Sequence, residues 1–156
     1  MQLKFHQGGS FLLEAMVAFL IFAFGVLALV GLQATSIAAN VDTRYRVEAN
    51  QLTQKMLSTI QGSVSRSSLT TFQASLVAFD HNPTGDQCTF SGGASANTQV
   101  AAWLVELQNA ATTSLPSADG QIRVIWGTPN QIRIVICWQQ PGLPVPRRHV
   151  VMGSIS

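Results

Sequence analysis

The chain has 156 residues, 10% of them charged and 47% hydrophobic, and its 9 basic and 7 acidic residues leave a net charge of +2. That balance gives no sign of a dedicated nucleic-acid binder, which needs a strongly basic surface to displace counterions from phosphates. The 2 cysteines, Cys88 and Cys137, form no CxxC pair, and no HExxH motif or phosphate-binding loop occurs, so no spacing points to catalysis.

Residues 1–9, MQLKFHQGG, carry Lys4, His6 and no acid. A short positive leader is consistent with a cytoplasmic N-terminus, although Arg44 and Arg46 lie beyond the apolar run that follows. That run opens at Phe11, closes at Leu32 and contains one charge, Glu14. As a helix it is about 33 Å long, enough to cross a hydrocarbon core of about 30 Å. A carboxylate inside a membrane segment costs about 2.5–3.5 kcal/mol on insertion scales and calls for a function or a neutralising partner. A secretory signal peptide is the plainer reading, with Ala34, Ser36, Ala38 and Ala39 imitating a cleavage site. The run exceeds the usual apolar region of about 7–15 residues, however. It also contains Glu14 and leads on without a proline.

Beyond Leu32, apolar residues recur at Ile37, Val41, Tyr45, Ala49, Leu52, Met56, Ile60 and Val64. Steps of three and four describe one face of a helix. The polar positions between them include Asp42, Arg46, Glu48 and Lys55. The pattern predicts one helix from about residue 10 to 60, ending near Gly62, apolar all round in its first half and amphipathic in its second. Gly25 and Gly31 are points where it can soften or admit a partner helix. The apolar stripe requires a cover, which residues 62–156 must supply.

Residues 62–99 are rich in Ser, Thr, Gly and Asn, and residues 91–97, SGGASAN, read as a loop. Phe72, Leu76, Val77 and Phe79 suggest a short packed element within this stretch. Residues 99–111 place Val100, Trp103, Leu104, Leu107 and Ala111 on one face, predicting a second helix capped by Thr98 and ended by Leu115-Pro116. Residues 121–126 and 131–138, joined by Gly127-Thr128-Pro129-Asn130, predict a hairpin. Residues 150–155 predict a third strand after a proline-rich link. Ile122, Val124 and Trp126 share one face of the first strand, and Ile132, Ile134, Ile136 and Trp138 one face of the next, with Arg123 and Arg133 facing away. Trp103, Trp126 and Trp138 are all expected in the core.

An anchor with its N-terminus inside leaves both cysteines outside the cytoplasm, where a disulfide persists. It would close a loop of about fifty residues and contribute about 4 kcal/mol in the chain-entropy model. The alternative is two buried thiols. Asp80, His81 and Asp86 could form a weak metal site, but acidic loop residues are more often merely solvated. Arg147-Arg148-His149 could touch an acidic partner or DNA, but charges that solvate an exposed strand edge are the more ordinary reading.

The leader ending in Gly8-Gly9, Ser10 at its edge and Glu14 four residues into an apolar helix resemble the class III signal of type IV pilins and type II secretion pseudopilins. The stretch LLEAMVAFLIFAFGVLALVGLQ and the later Trp103, Leu115-Pro116 and Ile136-Cys137-Trp138-Gln139 resemble PilV-type minor pilins. The resemblance implies an α+β, type IV pilin-like fold: a cytoplasmic leader (1–9), a long N-terminal helix (10–61), and a periplasmic domain (62–156) with an αβ-loop and a C-terminal antiparallel sheet. It further implies cleavage between Gly9 and Ser10 by prepilin peptidase, N-methylation of Ser10 and an assembly role for Glu14. The family usually carries Phe at the first mature position, where this chain has Ser10. The implied protein is a non-enzymatic minor pilin of the inner membrane, without cofactor or metal. Its partners would be other minor pilins, the major pilin, the inner-membrane assembly platform and the lipid bilayer, with no nucleic acid. A minor pseudopilin and a membrane-tethered periplasmic binding module, gripping a ligand through Arg147, Arg148 and the glycine loop, are the alternatives.

Overall fold

A computed structural model describes residues 10–109, 111 and 113–155. It divides into two compact units, Met1–Thr43 and Arg44–Ser156. The helix α1 (Ser10–Ser63) contributes to both. In the first unit α1 is the only described element, and every residue from 11 to 33 is exposed. The helix is long and apolar enough at this end to cross a membrane. Its termination at Ser63 lies one residue beyond Gly62, close to the expected end.

In the second unit the remainder of α1 buries Ala49, Leu52, Met56, Leu57 and Ile60. Ala49, Leu52, Met56 and Ile60 belong to the stripe that predicted the helix and Leu57 widens it, whereas Ile37 and Val41 of the same stripe are exposed. After it, α2 (Leu69–Val77) starts with a capping box in which Ser68 and Thr71 bond reciprocally to each other's backbone. Phe72, Leu76 and the following Phe79 are buried, while Val77 is exposed. A small hairpin, β1 (Thr84–Asp86) and β2 (Thr89–Ser91), comes next. Its two turn residues, Gln87 and Cys88, both have positive φ (54° and 67°), as primed hairpin turns require. The sequence reading had only loop here, because three-residue strands leave no period to detect.

The second helix, α3 (Thr98–Gln108), departs from expectation at both ends. Asn97, not Thr98, is the cap: its side chain accepts a hydrogen bond from the Gln99 N–H at 2.8 Å. The helix stops before Ala111 because Asn109 competes with it, its Oδ1 accepting from the Ala111 N–H at 2.9 Å.

Three strands form an antiparallel sheet in the order β3-β4-β5: β3 (Asp119–Ile125), β4 (Asn130–Trp138) and β5 (Arg147–Ile155). The register sets Ile122 against Ile134 and Ile134 against Val151. Ile122, Val124, Ile132, Ile134, Ile136 and Trp138 are buried on one face with the α1 stripe, Trp103 and Leu107. The Trp103 Nε1–H donates to the Leu52 carbonyl at 3.2 Å, so this buried indole is hydrogen-bonded. Close approach needs glycine at two sheet positions: a Cβ on Gly120 would lie 2.6 Å from the Trp103 ring, and one on Gly153 2.5 Å from Leu57. Trp126 corrects the sequence reading, being 48% exposed rather than in the core. It lies one residue past the end of β3, where the turn begins and the sheet no longer dictates its face. The last strand also starts earlier than expected, at Arg147, because the two arginines pair with Trp138 and Cys137 of β4 and prolong the ladder.

Candidate functional site

At the N-terminus, Gly9 lies outside the described residues, and Ser10 is the first residue of α1. Glu14 follows one turn later, exposed on a surface made otherwise of apolar side chains, with Phe11 74% and Leu32 67% exposed at the two limits of the run. A carboxylate near a helix N-terminus complements the positive end of the helix dipole. An ionised carboxylate there can accept hydrogen bonds or pair with a cation.

The second cluster lies on the face of the sheet opposite α1. Cys88 and Cys137 are joined by a disulfide across a sequence separation of 49, with Cα atoms 5.7 Å apart. The bond pins the turn of the β1–β2 hairpin to β4. Gln121, only 1% exposed, donates from Nε2 to the carbonyls of Asn82 (2.8 Å) and Thr84 (3.0 Å), holding the base of the same hairpin against β3. Asp86 completes the attachment, its Oδ1 lying 3.4 Å from both Arg133 and Arg148. The Gln87 backbone N–H, then Arg133 and Arg148, hold the Asp86 carboxyl below its usual range. Of the two arginines expected to face away, Arg133 is one of the anchors for the hairpin, together with Arg148.

Asp80, His81 and Asp86 do not converge on a metal. Asp80 Oδ1 accepts from the Val124 N–H at 2.7 Å, and burial raises its pKa despite that bond and the nearby Arg123. His81 Nδ1 accepts from the Ser95 N–H at 3.1 Å, and burial lowers its pKa against the pull of Asp119. The His81 backbone exchanges two hydrogen bonds with Ile122, of 2.9 and 3.0 Å, so this segment closes the outer edge of β3. Among the described residues, no group of three or more His, Cys, Asp or Glu side chains could hold a metal ion.

His149 lies on the inner side of β5, opposite Ile136. Burial, and secondarily Arg46, lower its pKa. A surface groove lined by Arg66, Ser68, Leu69, Phe72 and Asn130 contains no carboxylate, imidazole or thiol with which to do chemistry.

Sequence reasoning identified the cysteine pair and the outward arginines, but missed that Asp86 and Gln121 join them. No local signal could have found that link, because its members come from four separate strands, β1, β3, β4 and β5. Comparison of the chain with protein-family models, with characterised proteins and with solved structures finds no match in any of the three.

Proposed function

We propose that the chain is a minor type IV pilin of the PilV type, a non-enzymatic subunit that helps to start or cap a pilus and supports adhesion or motility through it. The observation that carries the reading is the arrangement Gly9, Ser10, Glu14 at the head of an apolar helix. The exposed apolar segment, the buried stripe further along α1 and the disulfide-stapled α+β unit are all compatible with it.

In this reading prepilin peptidase cuts after Gly9 and leaves an ammonium on Ser10, which is then methylated. The subunit stays in the inner membrane with residues 11–32 in the bilayer, the second unit in the periplasm and both cysteines outside the cytoplasm. Glu14 pairs with the N-terminal ammonium of a neighbouring subunit. In low dielectric an unpaired charge is costly and a well-placed pair offsets much of that cost. Neighbouring helices stacked with an axial offset bring the two together, so the carboxylate sets the assembly register. The partners are the major pilin, the other minor pilins, the assembly platform and the lipid itself.

Mass spectrometry of the purified protein tests the processing. A chain beginning at N-methylated Ser10 is expected. A chain that retains Met1 through Gly9 would overturn the reading. Deletion of the gene then separates a pilin from a type II secretion pseudopilin: loss of surface fibres marks the first, and loss of enzyme secretion with fibres intact marks the second.

A further inference from the structure

The two edges of the three-stranded sheet are finished differently. The β3 edge is closed by the backbone bonds between His81 and Ile122. The β5 edge is open: no backbone hydrogen bond outside the β4–β5 ladder joins residues 147–155 to any described residue. The open edge is long, since β5 pairs with β4 in unbroken register from Arg147 to Ile155. Folded proteins usually protect such an edge with bulges, prolines, interspersed charges or short length. β5 has no bulge and no proline, and its charges are confined to Arg147 and Arg148. The remainder, HVVMGSI, is uncharged apart from the ionisable His149. On its solvent face Val150 is 37% and Met152 55% exposed.

We propose that the β5 edge is the docking site for an extended segment of another protein, added antiparallel to β5, with apolar residues along its length and acidic residues at its C-terminal end. The backbone supplies a row of unpaired donors and acceptors, as in other strand-addition complexes. Antiparallel pairing continues the pattern of the sheet and is slightly the stronger per residue. The charge sets the polarity of the occupant. Arg147 is exposed and has no ion pair among the described residues. Arg148 is 46% exposed and shares the single carboxylate of Asp86 with Arg133. No acid lies on β5 itself, so the strand's N-terminal end carries positive charge in excess of its own neutralisation. In an antiparallel occupant the residues facing that end are its last ones. A second copy of this strand would bring two more arginines and no acid. The site does not depend on the pilin reading, because it rests only on the edge and its charge.

The test uses the full chain in detergent micelles and a fluorescein-labelled peptide of four Thr-Val repeats ending in Asp-Asp. A saturable rise in anisotropy is expected, together with slowed amide hydrogen exchange confined to β5. The same repeats ending in Lys-Lys should bind about fivefold more weakly at low salt. Arg147→Gln should weaken that preference, because Arg148 still shares a single carboxylate with Arg133, and Arg147→Glu should remove it. Equal binding of the two peptides, or slowed exchange anywhere other than β5, would overturn the proposal. So would β5 amides already protected in a dimer of the chain alone, which would assign the edge to a second copy.

Discussion

The two parts of α1 belong to one uninterrupted helix yet meet opposite requirements. From residue 11 to 33 every side chain is exposed, although nearly all are apolar. From Arg44 onward the apolar residues are fewer, and Ala49, Leu52, Met56 and Ile60 are buried at 6% exposure or less. A helix hydrophobic all round must be solvated by something other than water, whereas one with an apolar stripe needs only a cover along that stripe. The chain supplies the second cover itself, from α3 and the sheet. The first half has no such cover among the described residues and is long and apolar enough to cross a membrane.

The sharpest way to break the contrast is to change the one charge in the apolar half. If the chain is the pilin proposed above, Glu14→Val should leave membrane insertion and leader cleavage intact while largely abolishing recovery of the subunit in sheared fibres, measured by immunoblot against total protein. Thermal unfolding of the second unit should not move. Wild-type incorporation would reduce Glu14 to a charge at a helix end.

The reverse experiment perturbs only the packed unit. Cys88→Ser removes the staple between the hairpin and β4. It should lower the stability of that unit by up to about 4 kcal/mol, as a loop of that length predicts, and leave the helicity of the first unit unchanged. Denaturant titration followed by tryptophan fluorescence reads the loss, since the tryptophans are all at Trp103, Trp126 and Trp138.

A matched pair of truncations sharpens the contrast within α1. Ile60→Ala, at a fully buried position, should cost about 2–5 kcal/mol through lost burial and an unfilled cavity. Leu20→Ala, at a position 56% exposed, should leave the same unfolding transition within about 0.5 kcal/mol. Equal effects would mean that residues 11–33 are packed within the protein after all.

The smallest expected effect is on pH. His81 and His149 have folded pKa values lowered by burial. The unfolded chain therefore binds more protons between the lowered values and the ordinary value of 6.5. The stability they allow is fully present above 6.5 and is lost as pH falls below it. Asp80, with its raised pKa, works in the opposite sense: its neutral form is favoured in the fold, so protonation at lower pH recovers stability. Asp86 contributes stability above its unfolded value of 3.8, lost as pH falls through the lowered folded one. The second unit should melt slightly lower at pH 5.5 than at pH 7.5, and His81→Asn should flatten part of that slope. A melting point that rises on acidification across this window would contradict the histidine assignment.

Much of the fold was legible because it is periodic. The spacing from Ile37 to Val64 marked the stripe of α1, and the alternation at Ile132, Ile134, Ile136 and Trp138 marked the buried face of β4. Cys88 and Cys137 were expected to pair because an anchor with its N-terminus inside puts both outside the cytoplasm, with two buried thiols as the alternative. Trp126 was misplaced because alternation assigns a face only while the strand continues, and β3 stops at Ile125. The cap of α3 was missed by one residue because Asn97 and Thr98 are both good caps, and only the backbone decides which side chain reaches the free N–H groups.

What the sequence determined by itself was local: where a helix must run, which half of it must avoid water, and which strand faces are apolar. These follow from side-chain period and polarity, which tertiary contacts do not alter. Only the tertiary structure decided how the β1–β2 hairpin is held, by Asp86 between Arg133 and Arg148 and by Gln121 beneath it. It also decided which sheet edge stays open, since His81 bonds to the backbone of β3 from 41 residues away while no described backbone group outside β4 bonds to β5. Both depend on bringing distant residues together, and the free energy of that meeting is set by the whole packed unit rather than by any segment of the chain.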